Sequence, residues 1–274
     1  MSVFPLFGVS IIAGLVGAMC GMGGGVVLVP VLTWFGIDIK HAIAASMISV
    51  IATSSGSASA YARSHTTNLK IGMFLEMFTI VGAVVGASIA LGTSKSILTM
   101  IFGGMLLSSW AVLSRRHEWR PIAHQDRLSH WLELEGDYYD FAEDRQIKYR
   151  AGRAYFGGPL MFGAGMVAGM LGIGAGAVKV LIHDLIMGMP PKASTTTSNL
   201  IIGVTGLAGT SVYFAAGLIE PRLALPIIPG ILLGANAGTV ILQRITGQSV
   251  QRFFQVVLLI LGVEMLYRGF MAIV

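Results

Sequence analysis

Two glycine clusters carry the first chemical signal in this sequence: Gly21-Met22-Gly23-Gly24-Gly25 and, further along, Gly172-Ile173-Gly174-Ala175-Gly176, each inside an apolar stretch. Glycine costs about 1 kcal/mol relative to alanine within a helix, so either cluster predicts an interruption rather than a continuous helix. In hydrocarbon, backbone freed by such a break must find partners inside protein or beside a hydrated cavity. A helix restarting after the break directs free N–H groups and its positive dipole end at that place, which is the chemistry of an anion site. The candidate donors are Gly23, Gly24, Gly25, Gly174, Ala175 and Gly176. The blander alternative, that the glycines only let helices pack closely, is weakened by two matched breaks that each open a short segment.

Three residues past the second cluster stands Lys179, in an apolar stretch where a charge costs about 2.5 to 3.5 kcal/mol on insertion scales. It supplies the cation of an anion site, or it snorkels or pairs with a carboxylate on another helix, Glu76 and Glu264 being the candidates. His183 lies one helical turn further on the same face, whereas Asp184 points elsewhere, so a bridge from Lys179 to Asp184 within one helix is not expected. His183, Asp184 and Glu76 are candidates for coupling; Glu76 could carry a proton if burial raised its pKa. Among many hydroxyls, Ser46, Thr197 and Ser198, with Asn199 beside them, sit near helix starts and complete the candidate site.

Other chemistries fail on residue type. A nucleotide loop needs a preceding strand and, for a P-loop, Gly-Lys-Ser or Gly-Lys-Thr, and none is present. One cysteine, Cys20, excludes an internal disulfide and a multi-cysteine metal site. Six scattered histidines without a His-Glu-x-x-His arrangement argue against an intramembrane enzyme. A net charge of +5 comes with no basic cluster interleaved with aromatics, so no nucleic-acid partner is expected.

The elements that must position these residues are membrane helices. The 274 residues are 54% hydrophobic and 11% charged, where a soluble domain carries about 25% charged residues. Apolar stretches fall at 3–20, 26–35, 42–61, 71–91 and 97–113, then again at 155–171, 177–187, 195–216, 223–242 and 250–274. Several are long enough to cross about 30 Å of hydrocarbon, but the second of each set is too short. The amino terminus lacks the basic leader and cleavage site of a secretory signal and is read as part of the mature protein.

The two sets also repeat in sequence, at a period of about 150 residues. After one inserted residue, Lys40 aligns with Lys192, Ser46 with Ser198, Thr53 with Thr205 and Tyr61 with Tyr213. The expected fold is an all-α membrane protein of two pseudo-symmetric repeats, 1–114 and 154–274, joined by a charged connector, 115–153. Each repeat is a broken or re-entrant helical hairpin plus three transmembrane helices, which makes the repeats inverted; breaks that merely kink one crossing would make them parallel. The connector holds eight basic and eight acidic residues. Its segments 131–135 and 146–150, about a turn at 142–145, predict a small β-hairpin. The positive-inside bias makes the connector side cytoplasmic and the amino terminus external.

These residues together resemble the TauE/SafE family of membrane permeases: the repeated signatures at Gly21 and Gly172, Pro30 closing the first, Lys192 with Thr197-Ser198-Asn199, and the connector with Tyr138-Tyr139. The resemblance covers nearly the whole chain. It implies a prokaryotic plasma-membrane carrier that exports sulfite, sulfoacetate or a related organic anion and binds no cofactor. Ala175 departs from a glycine expected in the second signature, and Leu181 stands where the first half has Pro30, so the two half-sites are not equivalent. The resulting expectation is a secondary transporter with a small anionic substrate, working in the lipid bilayer by alternating access. An anion channel, an interaction protein or an intramembrane enzyme are the alternatives, and a homodimer is left open. A negative-inside potential favours anion export by about 2.3 kcal/mol per charge per 100 mV, so proton coupling is not required.

Overall fold

The computed structural model describes residues 3–20, 23–62, 67–114, 125–140, 144–174, 176–242 and 247–272, by backbone alone at 3, 20, 57–62, 113, 140, 177, 239–242 and 247–254. Helices α1 (Val3–Cys20), α2 (Gly25–Trp34), α3 (Ile39–Ala62), α4 (Leu69–Gly92) and α5 (Lys95–Ser114) form the first set. A connector follows, with a short helix α6 (Arg127–Trp131) and strands β1 (Glu135–Asp140) and β2 (Arg145–Arg150). The second set is α7 (Ala154–Leu171), α8 (Gly176–Leu181) running into a π-helical turn (Ile182–Ile186), α9 (Pro191–Ala215), α10 (Pro221–Leu242) and α11 (Gly247–Met271). Among the described residues, four helices are long and apolar enough to cross a membrane: Leu69–Gly92, Lys95–Val112, Ala154–Leu171 and Pro191–Ala215. The chain is a multi-pass membrane protein.

Local chemistry sets the helix ends. Asn68 caps α4, its side-chain oxygen accepting the Ile71 N–H at 3.1 Å, and this satisfies one of the orphan donors of the first turn. Pro191 opens α9, where its missing N–H costs nothing. Gly172 ends α7 in the left-handed conformation, φ 69°.

Glycine also sets how the long helices pack. A Cβ on Gly82 of α4 would lie 2.2 Å from the Phe162 carbonyl oxygen, and one on Gly86 would lie 2.0 Å from that of Met166. On α10, a Cβ at Gly234 would lie 2.0 Å from the Ile11 carbonyl oxygen and one at Gly238 would lie 2.6 Å from that of Leu15. Only hydrogen fits, so α4 meets α7 and α10 meets α1 backbone to backbone, as small residues permit where no hydrophobic force drives helices together. Helix α3 packs on α9, and α5 packs on α11.

Polar latches mark two ends. At one, Lys95 pairs with Asp38, the Lys40 ammonium donates to the Leu91 carbonyl at 2.6 Å, and His41 faces Glu220 at 3.4 Å. At the other, the connector is tied down: Asn68 Nδ2 donates to the Glu135 carbonyl at 3.0 Å, Lys70 pairs with Glu133 at 2.9 Å, and the Gly152 N–H donates to the Met187 carbonyl at 3.1 Å. That last bond puts the start of α7 and the end of the π-helical turn at the same end of the molecule.

The connector hairpin is antiparallel with Glu135 opposite Arg150 and Tyr138 opposite Ile147. Its first strand begins at Glu135, not at Trp131 as the alternation 131–135 predicts. Trp131 ends α6, and Glu133 takes a left-handed turn (φ 49°) that reverses the chain before pairing starts. Part of the predicted turn, 142–143, lies outside the described residues.

Candidate functional site

The two glycine breaks meet against the middle of α3. Gly23 and Gly174 both take left-handed backbone, φ 75° and 66°. A Cβ on Gly23 would lie 2.9 Å from one methyl carbon of Val50, and one on Gly174 would lie 3.0 Å from the other. Gly25 closes the contact, because its Cβ would lie 2.3 Å from both the Gly172 carbonyl oxygen and Ser46 Oγ. The crossing has no room for side chains, which explains why glycine recurs there. Ser46 Oγ donates to the Gly172 carbonyl at 2.5 Å, bridging the first half's α3 to the second half's break.

Several of the donors and hydroxyls singled out in the sequence are engaged within the protein. The Gly24 N–H donates to Thr53 Oγ1 at 3.3 Å, and Ser198 Oγ reaches the Gly176 carbonyl at 3.5 Å. Thr197 Oγ1 is drawn to the connector end, where it accepts the Asn68 N–H at 3.1 Å. Asn199 is buried, its carbonyl accepts Ser54 Oγ at 2.7 Å, and its Nδ2 has no hydrogen-bond partner among the described residues. His183 is fully buried on the π-helical turn against the backbone of Ser194, whose hydroxyl has no hydrogen-bond partner among the described residues. Asp184 is half-buried on that turn. Ala175 lies outside the described residues.

The polar centre is built on Lys179. Its side chain is fully enclosed, and its ammonium lies 3.3 Å from Glu76 Oε2 and donates to Thr205 Oγ1. Glu76, with a side chain 6% exposed, accepts from Thr79 Oγ1 at 2.6 Å on one oxygen and from Thr205 Oγ1 at 2.5 Å on the other. A buried ion pair persists only when its remaining lone pairs and protons are satisfied, and the two threonines satisfy the carboxylate here. Of the two carboxylates the sequence offered, Glu76 is the partner; Glu264 pairs with Arg268 one turn along its own helix.

Sequence reasoning missed Thr79 and did not place Thr205 in the site. Both were within reach of it: Thr79 is three residues beyond Glu76 and shares its helical face, and Thr205 is the residue that the expected repeat aligns with Thr53. Among the described residues, no group of three or more His, Cys, Asp or Glu side chains could hold a metal ion. A cleft of about 520 Å³ opens beside Leu91, Ser211, Val212, Ala215 and Ala216 and is lined by none of the candidate residues.

Comparison with known proteins accords with this architecture. The family model described as sulfite exporter TauE/SafE matches residues 6–265. The chain is 25% identical to the probable membrane transporter protein YunE of Bacillus subtilis, across 98% of this chain and 99% of that one. It is 24% identical to a probable membrane transporter protein of Methanocaldococcus jannaschii, across 94% and 93% of the two chains. It is 23% identical to another from Xylella fastidiosa, across 95% of each. No solved structure matches the chain significantly.

Proposed function

The chain belongs to the sulfite exporter TauE/SafE family, and from that premise we propose that it moves a small sulfur-containing or organic anion outward across a prokaryotic plasma membrane, by alternating exposure of a site between two inverted halves. It is a membrane transporter and not an enzyme. The observation that carries the reading of the site is Lys179, an enclosed cation about one turn beyond the second glycine break, which itself meets the first break against α3.

Packing supports two inverted repeats. The contacts of Gly82 with Phe162 and Met166 recur, shifted by the repeat register, as those of Gly234 with Ile11 and Leu15. Gly86 against Met166 recurs as Gly238 against Leu15, and Gly165 against Thr79 as Gly14 against Ile231. Exchanging the halves therefore maps α4 on α7 onto α10 on α1. The start of α7 and the end of the π-helical turn share the connector end, which favours a re-entrant hairpin over a kinked crossing. Three full crossings follow each hairpin, so the halves insert oppositely, and the positive-inside bias makes the connector cytoplasmic.

In this reading Gly23, Gly24, Gly25, Gly174, Ala175 and Gly176 contribute backbone dipoles, Lys179 the countercharge, and Ser46, Thr197, Ser198 and Asn199 the surrounding polarity. Binding requires bonds such as that from Gly24 to Thr53 to open, which fits a site closed between exposures. The test is thermal stability of the purified protein against sulfite, sulfoacetate, methanesulfonate and acetate. A ligand that binds only the folded form raises its midpoint. A rise with one or more of these anions, lost in Lys179→Ala, is expected; no rise with any of them in folded protein sinks the proposed site. An anion channel, the alternative within transport, would give ohmic currents in place of saturable flux.

A further inference from the structure

We infer that Lys179 and Glu76 form a charge-exchange pair: a singly charged anion displaces Glu76 from Lys179, Glu76 takes up one proton, and anion and proton travel together. This rests on the proposed anion site and names the charge class of its substrate.

A charge tally decides the stoichiometry. With the pair closed, the enclosed site is neutral. An anion on Lys179 beside an ionised Glu76 would leave one uncompensated negative charge away from water, which is far costlier than a matched pair. If a proton from water joins the Glu76 carboxylate, forming one O–H bond as the anion arrives, the site is neutral again. A dianion would leave a negative charge even then. The carrier thus reorients neutral in both the empty and the loaded form only when the substrate is singly charged and accompanied by one proton.

The surroundings of Glu76 suit both protonation states. Its oxygens meet an ammonium and two rotatable hydroxyls, and a hydroxyl can donate or accept. Each hydroxyl also has a second acceptor for its own proton: the Glu76 carbonyl at 3.0 Å for Thr79, and the Ile201 carbonyl at 3.3 Å for Thr205. When Glu76 is protonated, a threonine turns its O–H to that carbonyl and accepts the new carboxyl proton. Two of the three protons of the Lys179 ammonium are directed at Glu76 and Thr205.

Packing alone does not demand the pair. In the repeat register Lys179, Glu76 and Thr79 correspond to Leu28, Ile228 and Ile231, so the other half carries hydrocarbon side chains at the matching positions, Leu28 and Ile231 buried and Ile228 exposed. Among the described residues, the other titratable group on α4 is Lys70, exposed and paired with Glu133, and those against the helix are few. His183 and Asp184 lie on the π-helical turn, Glu133 and Tyr149 meet the first turn of α4 or its cap, and Tyr155 and Lys192 are exposed. Tyr213 donates to the Gly169 carbonyl at 2.9 Å. Within the described residues, Glu76 is the carboxylate held directly by Lys179.

The consequence is that flux responds to the anion and pH gradients and not to membrane potential. The test is proton uptake by the full-length protein in weakly buffered detergent on adding methanesulfonate, a single charge that does not titrate, or sulfoacetate, a double one. One proton taken up per methanesulfonate bound is expected, with affinity falling about tenfold per pH unit where the uptake occurs. In Glu76→Gln, binding should be independent of pH; in vesicles it should exchange anion for anion while net flux is lost, because the empty form would carry an unpaired Lys179. Methanesulfonate binding without proton uptake overturns this inference and leaves the anion site standing. Binding of sulfoacetate alone overturns the charge class, and binding of neither, nor of sulfite or acetate, overturns the anion site and this inference together.

Discussion

Removing either member of the Lys179 and Glu76 pair leaves the other charge enclosed, so the two substitutions should be strongly non-additive. Lys179 is wholly buried and Glu76 nearly so, and breaking such a pair from one side costs about 3 to 5 kcal/mol. Replacing both partners removes the stranded charge, and comparable replacements are neutral or favourable. Lys179→Met and Glu76→Gln should therefore each destabilise by about 3 kcal/mol or more, while the double variant recovers most of the loss. The coupling, which is the two single losses less the small loss of the double variant, should therefore exceed the range of about 0.5 to 3 kcal/mol usual for contacting residues. Reversible unfolding in mixed micelles, read by circular dichroism on all four chains, measures it. Additive losses within about 0.5 kcal/mol would refute the reasoning, because they would mean the two charges do not depend on each other.

Other consequences are as specific. Gly86→Ala and Gly238→Ala should each cost about 1 to 3 kcal/mol by overpacking a backbone contact, whereas Gly104→Ala, which meets nothing within 4 Å, should be neutral or stabilising; the same unfolding assay separates them. Asn68→Ala should lose about 1 kcal/mol of helix capping and, with the bonds to Glu135 and Tyr149 gone, speed amide exchange in the connector. Burial raises the Asp38 carboxyl, but Lys95 and the Lys40 N–H outweigh it and hold the carboxyl below its ordinary value. The stability this adds is present in full above the unfolded pKa of about 3.9 and is lost as pH falls through the lower folded value. Asp38→Asn should therefore flatten the acid limb of a stability profile.

Helix positions were legible because lipid demands long apolar runs. The stretch 3–20 is α1, and 155–171 differs from α7 by one residue. The larger errors lie at amino-terminal ends, where the first turn is polar: α9 begins at Pro191 and not 195 because Lys192 and Ser194 precede the apolar run. The short segments were visible from the glycines, but the π-helical turn that buries His183 was not, since the ring closed by the Met187 N–H on the Ile182 carbonyl has no residue signature. The cation was legible and its partner was ambiguous. Glu76 and Glu264 are equal in sequence, and the choice depends on which helix faces α8, a matter of tertiary packing. Hydroxyl roles were least legible, because Ser46, Thr53 and Thr197 could each serve substrate or backbone, and the fold gives all three to backbone.

The most direct measurement is efflux of sulfite and methanesulfonate from vesicles holding the purified protein, comparing wild type with Lys179→Met in the Glu76→Gln background and with Leu28→Met at the corresponding position of the first half. Saturable efflux in wild type and Leu28→Met, abolished in the folded double variant, is the predicted result. Undiminished efflux without Lys179 would contradict a transport site centred on it.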